Sequence, residues 1–108
     1  MESVEDFVGR KRQLHEVYKE SFSGFPFRLI SERAGTESNY WLNAILLEDP
    51  ETRDDFLKHT NDAGIMTRPV WRLLTELPLY SCCQSADLTN AQWLQERIIN
   101  IPSSVLIQ

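Results

Sequence analysis

The 108-residue chain carries 16 acidic against 11 basic side chains, a formal charge of -5, with 42% apolar and 25% charged residues. That length supports one hydrophobic core, and that composition excludes intrinsic disorder, collagen-like repetition and a disulfide scaffold. The negative charge opposes the phosphate neutralisation behind nucleic-acid binding, and the longest apolar runs, Ala44 to Leu47 and Val105 to Ile107, fall far short of the ~20 residues that cross a bilayer.

The first element is an amphipathic helix over Ser3 to Phe22, because Val4, Phe7, Val8, Leu14, Tyr18 and Phe22 recur at steps of three and four, with one gap filled by Lys11. Ser3 is its cap, Asp6 a weak capping-box partner, and Ser23-Gly24 its stop. At 1.5 Å per residue the helix is about 30 Å long, so one end is expected to project or to pack elsewhere. Met1 through Asp6 lack the basic-then-apolar pattern of a secretory leader, and a cytoplasmic location is expected. Phe27 to Ser31 and Tyr40 to Leu47 predict two strands of a hairpin turned at Ala34-Gly35-Thr36. Asp49 as cap, Pro50 at the first helical position and Glu51 in the first turn predict a helix to about Asp62. Gly64 ends it, and Ile65 to Arg68 predict a third strand, closed by Pro69 and reached through a right-handed crossover.

Val70, Leu73, Leu74 and Leu77 have helical spacing, which predicts a short helix before Pro78. Ser81 to Asp87 is a predicted loop. The last predicted helix presents Ala91, Leu94 and Ile98, with Asp87 or Thr89 as cap, and cannot extend through Pro102. The expected class is α+β: residues 1–108 as one domain, a small and mainly antiparallel sheet covered by helices on one face.

Few residues carry chemistry of their own. Cys82 and Cys83 are adjacent, which rarely suits an unstrained bridge, and they lack further ligands or a base, so they read as reduced thiols and not as a metal pair or a nucleophile. His15 and His59 stand singly on predicted helices, read as surface side chains, and no metal is expected. Lys11, Lys19 and Lys58 have solvated helix faces as their default location. The four glycines, Gly9, Gly24, Gly35 and Gly64, are too scattered to cradle a phosphate. Neither a catalytic residue nor a bound cofactor is expected within this chain.

Three segments in order carry a resemblance: Ser38-Asn39-Tyr40-Trp41-Leu42-Asn43-Ala44, then Gly64-Ile65-Met66-Thr67-Arg68-Pro69-Val70-Trp71, then Asn90-Ala91-Gln92-Trp93-Leu94 running to Asn100-Ile101-Pro102-Ser103-Ser104. Together they resemble nucleotide-sugar aminotransferases of the DegT/StrS type, especially members that aminate sugars for bacterial surface polysaccharides and nonulosonic acids. The helix bearing Arg10-Lys11-Arg12 resembles the one that leaves their large domain. The resemblance implies the C-terminal, small domain of an aspartate-aminotransferase-like (fold type I) enzyme that uses pyridoxal phosphate to move an amino group from a donor such as glutamate to a nucleotide-linked keto-sugar. It also implies a large N-terminal domain that supplies the Schiff-base lysine and the phosphate loop, and a homodimer with active sites near the interface. The alternative is a free-standing binding or interaction module derived from that domain.

The same resemblance sets the candidate substrate-binding residues. Arg68 can offer a two-pronged donor to a carboxylate or phosphate, against a surface pair with Glu76 or another acid. Asn39 and Tyr40 open the second strand, where the family places groups that touch the sugar or close the cleft. Asn43 either joins that polar edge or, as favoured, is a buried amide, and Trp71 and Tyr80 are either a lid or anchors of the core or a subunit interface. Trp41 and Trp93 are expected to pack. The tail Val105-Leu106-Ile107 is expected to pack against the domain or a partner, and an uncovered apolar face to favour self-association.

Overall fold

The computed structural model describes residues 3–104. Helix α1, Val4–Ser21, starts where the Ser3 hydroxyl accepts from the Asp6 amide at 3.3 Å, with Glu5 and Asp6 in the first turn and Lys19 in the last. Carboxylates at the start and an ammonium at the end complement the helix dipole. Helix α2, Pro50–Asp62, starts in the same way, the Asp49 carboxylate accepting from the Thr52 amide at 2.7 Å. It stops at Gly64, whose φ of 84° lies in the left-handed region that side chains avoid.

Four strands form one antiparallel sheet in the order β1-β2-β4-β3: β1 is Arg28–Leu29, β2 Asn43–Leu46, β3 Arg68–Pro69 and β4 Ile98–Ile101. The β1–β2 hairpin forms as expected, although both strands are shorter than the periodicity suggested. The strand-helix-strand unit β2-α2-β3 also forms, but its strands do not touch, because β4 lies between them and pairs with both.

Strand β4 corrects the expectation of a helix reaching Ile98. Helix α3 covers only Thr89–Gln95, and the Arg97 amide closes its end on the Leu94 carbonyl at 3.0 Å. The following Ile98, Ile99 and Ile101 are stiff at χ1 and pack well on a pleated surface, and their backbones complete two ladders at once. The helix expected over Val70 to Leu77 is likewise absent. The Val70 amide donates to the Ile98 carbonyl at 3.4 Å, so the chain continues along the sheet edge and leaves too short a run to nucleate an α-helix. Two 3-10 turns follow, Leu74–Glu76 and Pro78–Tyr80. Pro69 belongs to β3 instead of closing it, which an edge strand tolerates because proline has no amide to offer a neighbour.

Residues directly opposite in an antiparallel pair share a face, so Ile45 with Ile99, and Asn43 with Ile101, point to one side of the sheet. Ile45, Leu47, Ile99 and Ile101 are its buried core. Tyr18 and Phe22 of α1 and Phe56 and Leu57 of α2 pack against them, joined by Phe27 and Leu29. The alternate residues Ala44, Leu46, Ile98 and Asn100 on the other side are half-buried. The architecture is α+β, a small antiparallel sheet with helices on one face. The expected packing of Val105 to Ile107 lies outside the described residues.

Candidate functional site

The loop between β1 and β2 is fixed to α1 by charge. The Arg12 guanidinium grips Glu32 with two bonds, 2.7 and 3.0 Å, and also donates to the Ser38 carbonyl at 2.6 Å. The Glu32 carboxylate accepts the Ser38 amide at 2.6 Å. Arg12 and then the Ser38 amide hold the Glu32 carboxyl at about 2, well below its ordinary 4.5, because both favour its charged form. The same pairing pushes the Arg12 guanidinium upward.

Tyr40 sits inside this clamp with a left-handed φ of 46°, and the residue is only 7% exposed. It stacks on the His15 imidazole, centroids 3.7 Å apart at 14°, with the Arg12 guanidinium 5.4 Å from its centroid. Its hydroxyl accepts the Glu32 amide at 3.0 Å. The structure therefore buries the ring expected at the cleft.

His15, expected on the surface, is 2% exposed. Its Nδ1 meets Asn43 Oδ1 at 2.8 Å and its Nε2 meets Ser31 Oγ at 3.2 Å, so both ring nitrogens have a polar partner. Asn43 is the buried amide the sequence suggested, although its Nδ2 has no partner. The signal for His15 was the spacing of Lys11, His15, Tyr18 and Phe22, which shares one helix stripe. On that stripe Lys11 donates from Nζ to the carbonyls of Trp41, at 3.0 Å, and Ser103, and the Tyr18 hydroxyl donates to the Pro102 carbonyl at 2.6 Å. Burial raises the Tyr18 phenol above its ordinary pKa.

Beyond the clamp the chain presents an aromatic surface. Trp41 and Trp71 stack with centroids 6.3 Å apart at 24°, yet they remain 65% and 66% exposed. Neither Trp41 nor Trp93 therefore packs in the core of this chain, and Trp93 has the Arg97 guanidinium over its exposed ring at 4.3 Å. Asn39 is exposed, and its side-chain oxygen accepts the Trp41 amide at 3.0 Å. Arg68 does not pair with Glu76, which accepts from Gln95 instead. It donates to Asn61 Oδ1 at 3.2 Å and to the Thr67 carbonyl at 3.0 Å, and among the described residues it makes no salt bridge. The structure thus joins Asn39 and Trp71 through Trp41, and leaves Arg68 at the edge strand with spare donors.

Tyr80 lies apart from Trp71, on an apolar hollow of about 450 Å³ with Leu73, Leu74, Cys83 and Leu88. Cys82 and Cys83 are free and exposed. Among the described residues no cluster of three or more His, Cys, Asp or Glu side chains is placed to hold a metal. Nor do the residues fit pyridoxal phosphate: the Lys11 ammonium is committed to two carbonyls, Lys19 and Lys58 lie exposed on helices, and Gly24, Gly35 and Gly64 sit singly at turns. No helix among the described residues is long and apolar enough to cross a membrane.

Known proteins share this chain's sequence and fold. It is 31% identical over 81 residues to GDP-perosamine synthase of Escherichia coli O157:H7, a match covering 75% of the chain and 22% of that enzyme. To GDP-perosamine synthase of Vibrio cholerae it is 27% identical over 106 residues, covering 95% of the chain and 29% of the enzyme. The chain therefore spans less than a third of the length of either relative. Its fold matches Spr1654 of Streptococcus pneumoniae, solved in PLP and PMP forms, with a TM-score of 0.79 at 22% identity, covering 95% of this chain and 28% of that one. The profile of the DegT/DnrJ/EryC1/StrS aminotransferase family matches residues 1–108, and the chain belongs to that family.

Proposed function

We propose that the chain is the small, C-terminal domain of a pyridoxal-phosphate-dependent aminotransferase that aminates a nucleotide-linked keto-sugar for surface polysaccharide synthesis in the cytoplasm. The observation that carries the reading is the match of 75% and 95% of the chain to only 22% and 29% of two GDP-perosamine synthases, and among the described residues no lysine and glycine loop together suit the cofactor. On this reading a large domain supplies the Schiff-base lysine and the phosphate cradle, and this domain forms one wall of the substrate cleft.

On this reading the wall is built on Asn39, Trp41 and Trp71, with Arg68 contributed by the edge strand three residues before Trp71. Exposed indoles offer flat apolar area to a sugar or a base, and the free donors of Arg68 suit a carboxylate of the amino donor or a phosphate of the nucleotide. Tyr40 serves that wall from behind. Exposed Leu74, Leu79 and Tyr80 add apolar area that a large domain or a second copy in a homodimer would cover. Mixing the chain with a separately produced, cofactor-loaded large domain and assaying transfer from glutamate tests the reading. Activity that needs both pieces supports it; a folded mixture that stays inactive, while the chain alone captures a protein partner, would favour a free-standing module.

A further inference from the structure

We propose that Tyr40 is a positioning residue, whose buried ring holds the backbone turn that stacks Trp41 on Trp71. A residue with a side chain rarely adopts a φ of 46°, and such a conformation persists only where its surroundings over-determine it. Here they do so from several directions. His15 stacks on the ring at 3.7 Å, the Arg12 guanidinium lies 5.4 Å from its centroid, the Glu32 amide donates to its hydroxyl and the Ser38 hydroxyl accepts its own amide at 3.0 Å.

The consequence falls on the next residue. The Trp41 amide is capped by Asn39 and its carbonyl by Lys11, so its backbone is fixed on both sides, and the indole it carries points outward and meets Trp71. Two exposed tryptophans would not be expected to stay in register by their own attraction alone, since an aromatic pair contributes little beyond the area it buries. The clamp beneath supplies the missing constraint. The inference rests on the proposed function only for its purpose, which is to keep a cleft wall preformed.

The indole pair provides its own readout, because two stacked indoles couple their transitions and give a far-ultraviolet circular-dichroism couplet. In the full chain Trp71→Phe removes the couplet and defines its amplitude. Tyr40→Phe keeps the ring and should retain the signal. Tyr40→Asn keeps a residue tolerant of left-handed backbone but has no ring, and should lower the couplet more than about twofold while the helical signal stays. Should Tyr40→Asn unfold the chain, Arg12→Gln probes the same clamp from a partly exposed position and should also weaken the couplet. A full couplet in folded Tyr40→Asn or Arg12→Gln, or its loss in Tyr40→Phe, overturns the inference. The measurement requires no turnover, so its failure is separate from any failure of the aminotransferase reading.

Discussion

Replacing Ile99 by alanine removes three carbons from the centre of the sheet. Ile99 is fully buried on β4, opposite Ile45 on one side and Pro69 on the other. At about 0.8 kcal/mol per buried methylene the transfer alone costs about 2.4 kcal/mol. The partly collapsed cavity raises the loss to about 3–4 kcal/mol, a large share of the roughly 5–15 kcal/mol that holds a domain together. Urea unfolding followed by circular dichroism measures it, with a midpoint lowered and a slope unchanged. The neighbour Ile98 is the control, since it is only half-buried on the open face and should lose less on truncation. Were this segment a continuation of α3, the order would reverse, because Ile98 would join the apolar face of Ala91 and Leu94 and Ile99 the polar face of Gln92 and Gln95. A loss for Ile98→Ala equal to or greater than that for Ile99→Ala would refute the placement of β4.

The Glu32 carboxyl is depressed by Arg12 and Ser38, so its stabilisation is complete above its ordinary 4.5 and is lost as the pH falls towards about 2. Acid unfolding of Glu32→Gln should therefore show a flatter dependence than the parent between those two values, and identical slopes would contradict the pairing. Gly64→Ala should cost about 1–2 kcal/mol purely through the left-handed backbone, since an added methyl meets nothing within 4 Å; an unchanged urea midpoint would exclude that strain. Arg68→Met should leave the unfolding free energy from urea within about 0.5 kcal/mol of the parent, as for an exposed side chain, yet raise KM more than about tenfold in the reassembled enzyme if its guanidinium binds an anion. An unaltered KM would remove Arg68 from the cleft.

Local chemistry was legible in the sequence where one residue decides the outcome. Ser3, Asp49, Pro50 and Gly64 each mark a helix boundary, and each stands where its backbone preference demands. Two elements settled by distant partners were not legible. Ile98 to Ile101 is apolar enough for either periodicity, and only the flanking ladders of β2 and β3 decide for a strand. Val70 to Leu77 has helical spacing, but the sheet claims its first amide. The site divides along the same line. Asn43 is the buried amide its strand position favoured, whereas His15 carries only the faint signal of sharing a helix stripe with Tyr18 and Phe22, and the partners that bury it, Asn43 and Ser31, are 28 and 16 residues away. Trp41 and Trp71 lie 30 positions apart, and nothing local announces their stacking.

Exchange of segments tests the central claim most directly. A GDP-perosamine synthase relative would receive this chain in place of its own matching segment, and transfer of an amino group to a nucleotide-linked keto-sugar would be measured beside the 108-residue chain alone. Turnover by the chimaera, with none by the isolated chain at any pyridoxal phosphate concentration, is the predicted result. Cofactor-dependent turnover by the isolated chain, or a folded, cofactor-loaded chimaera without activity, would contradict it.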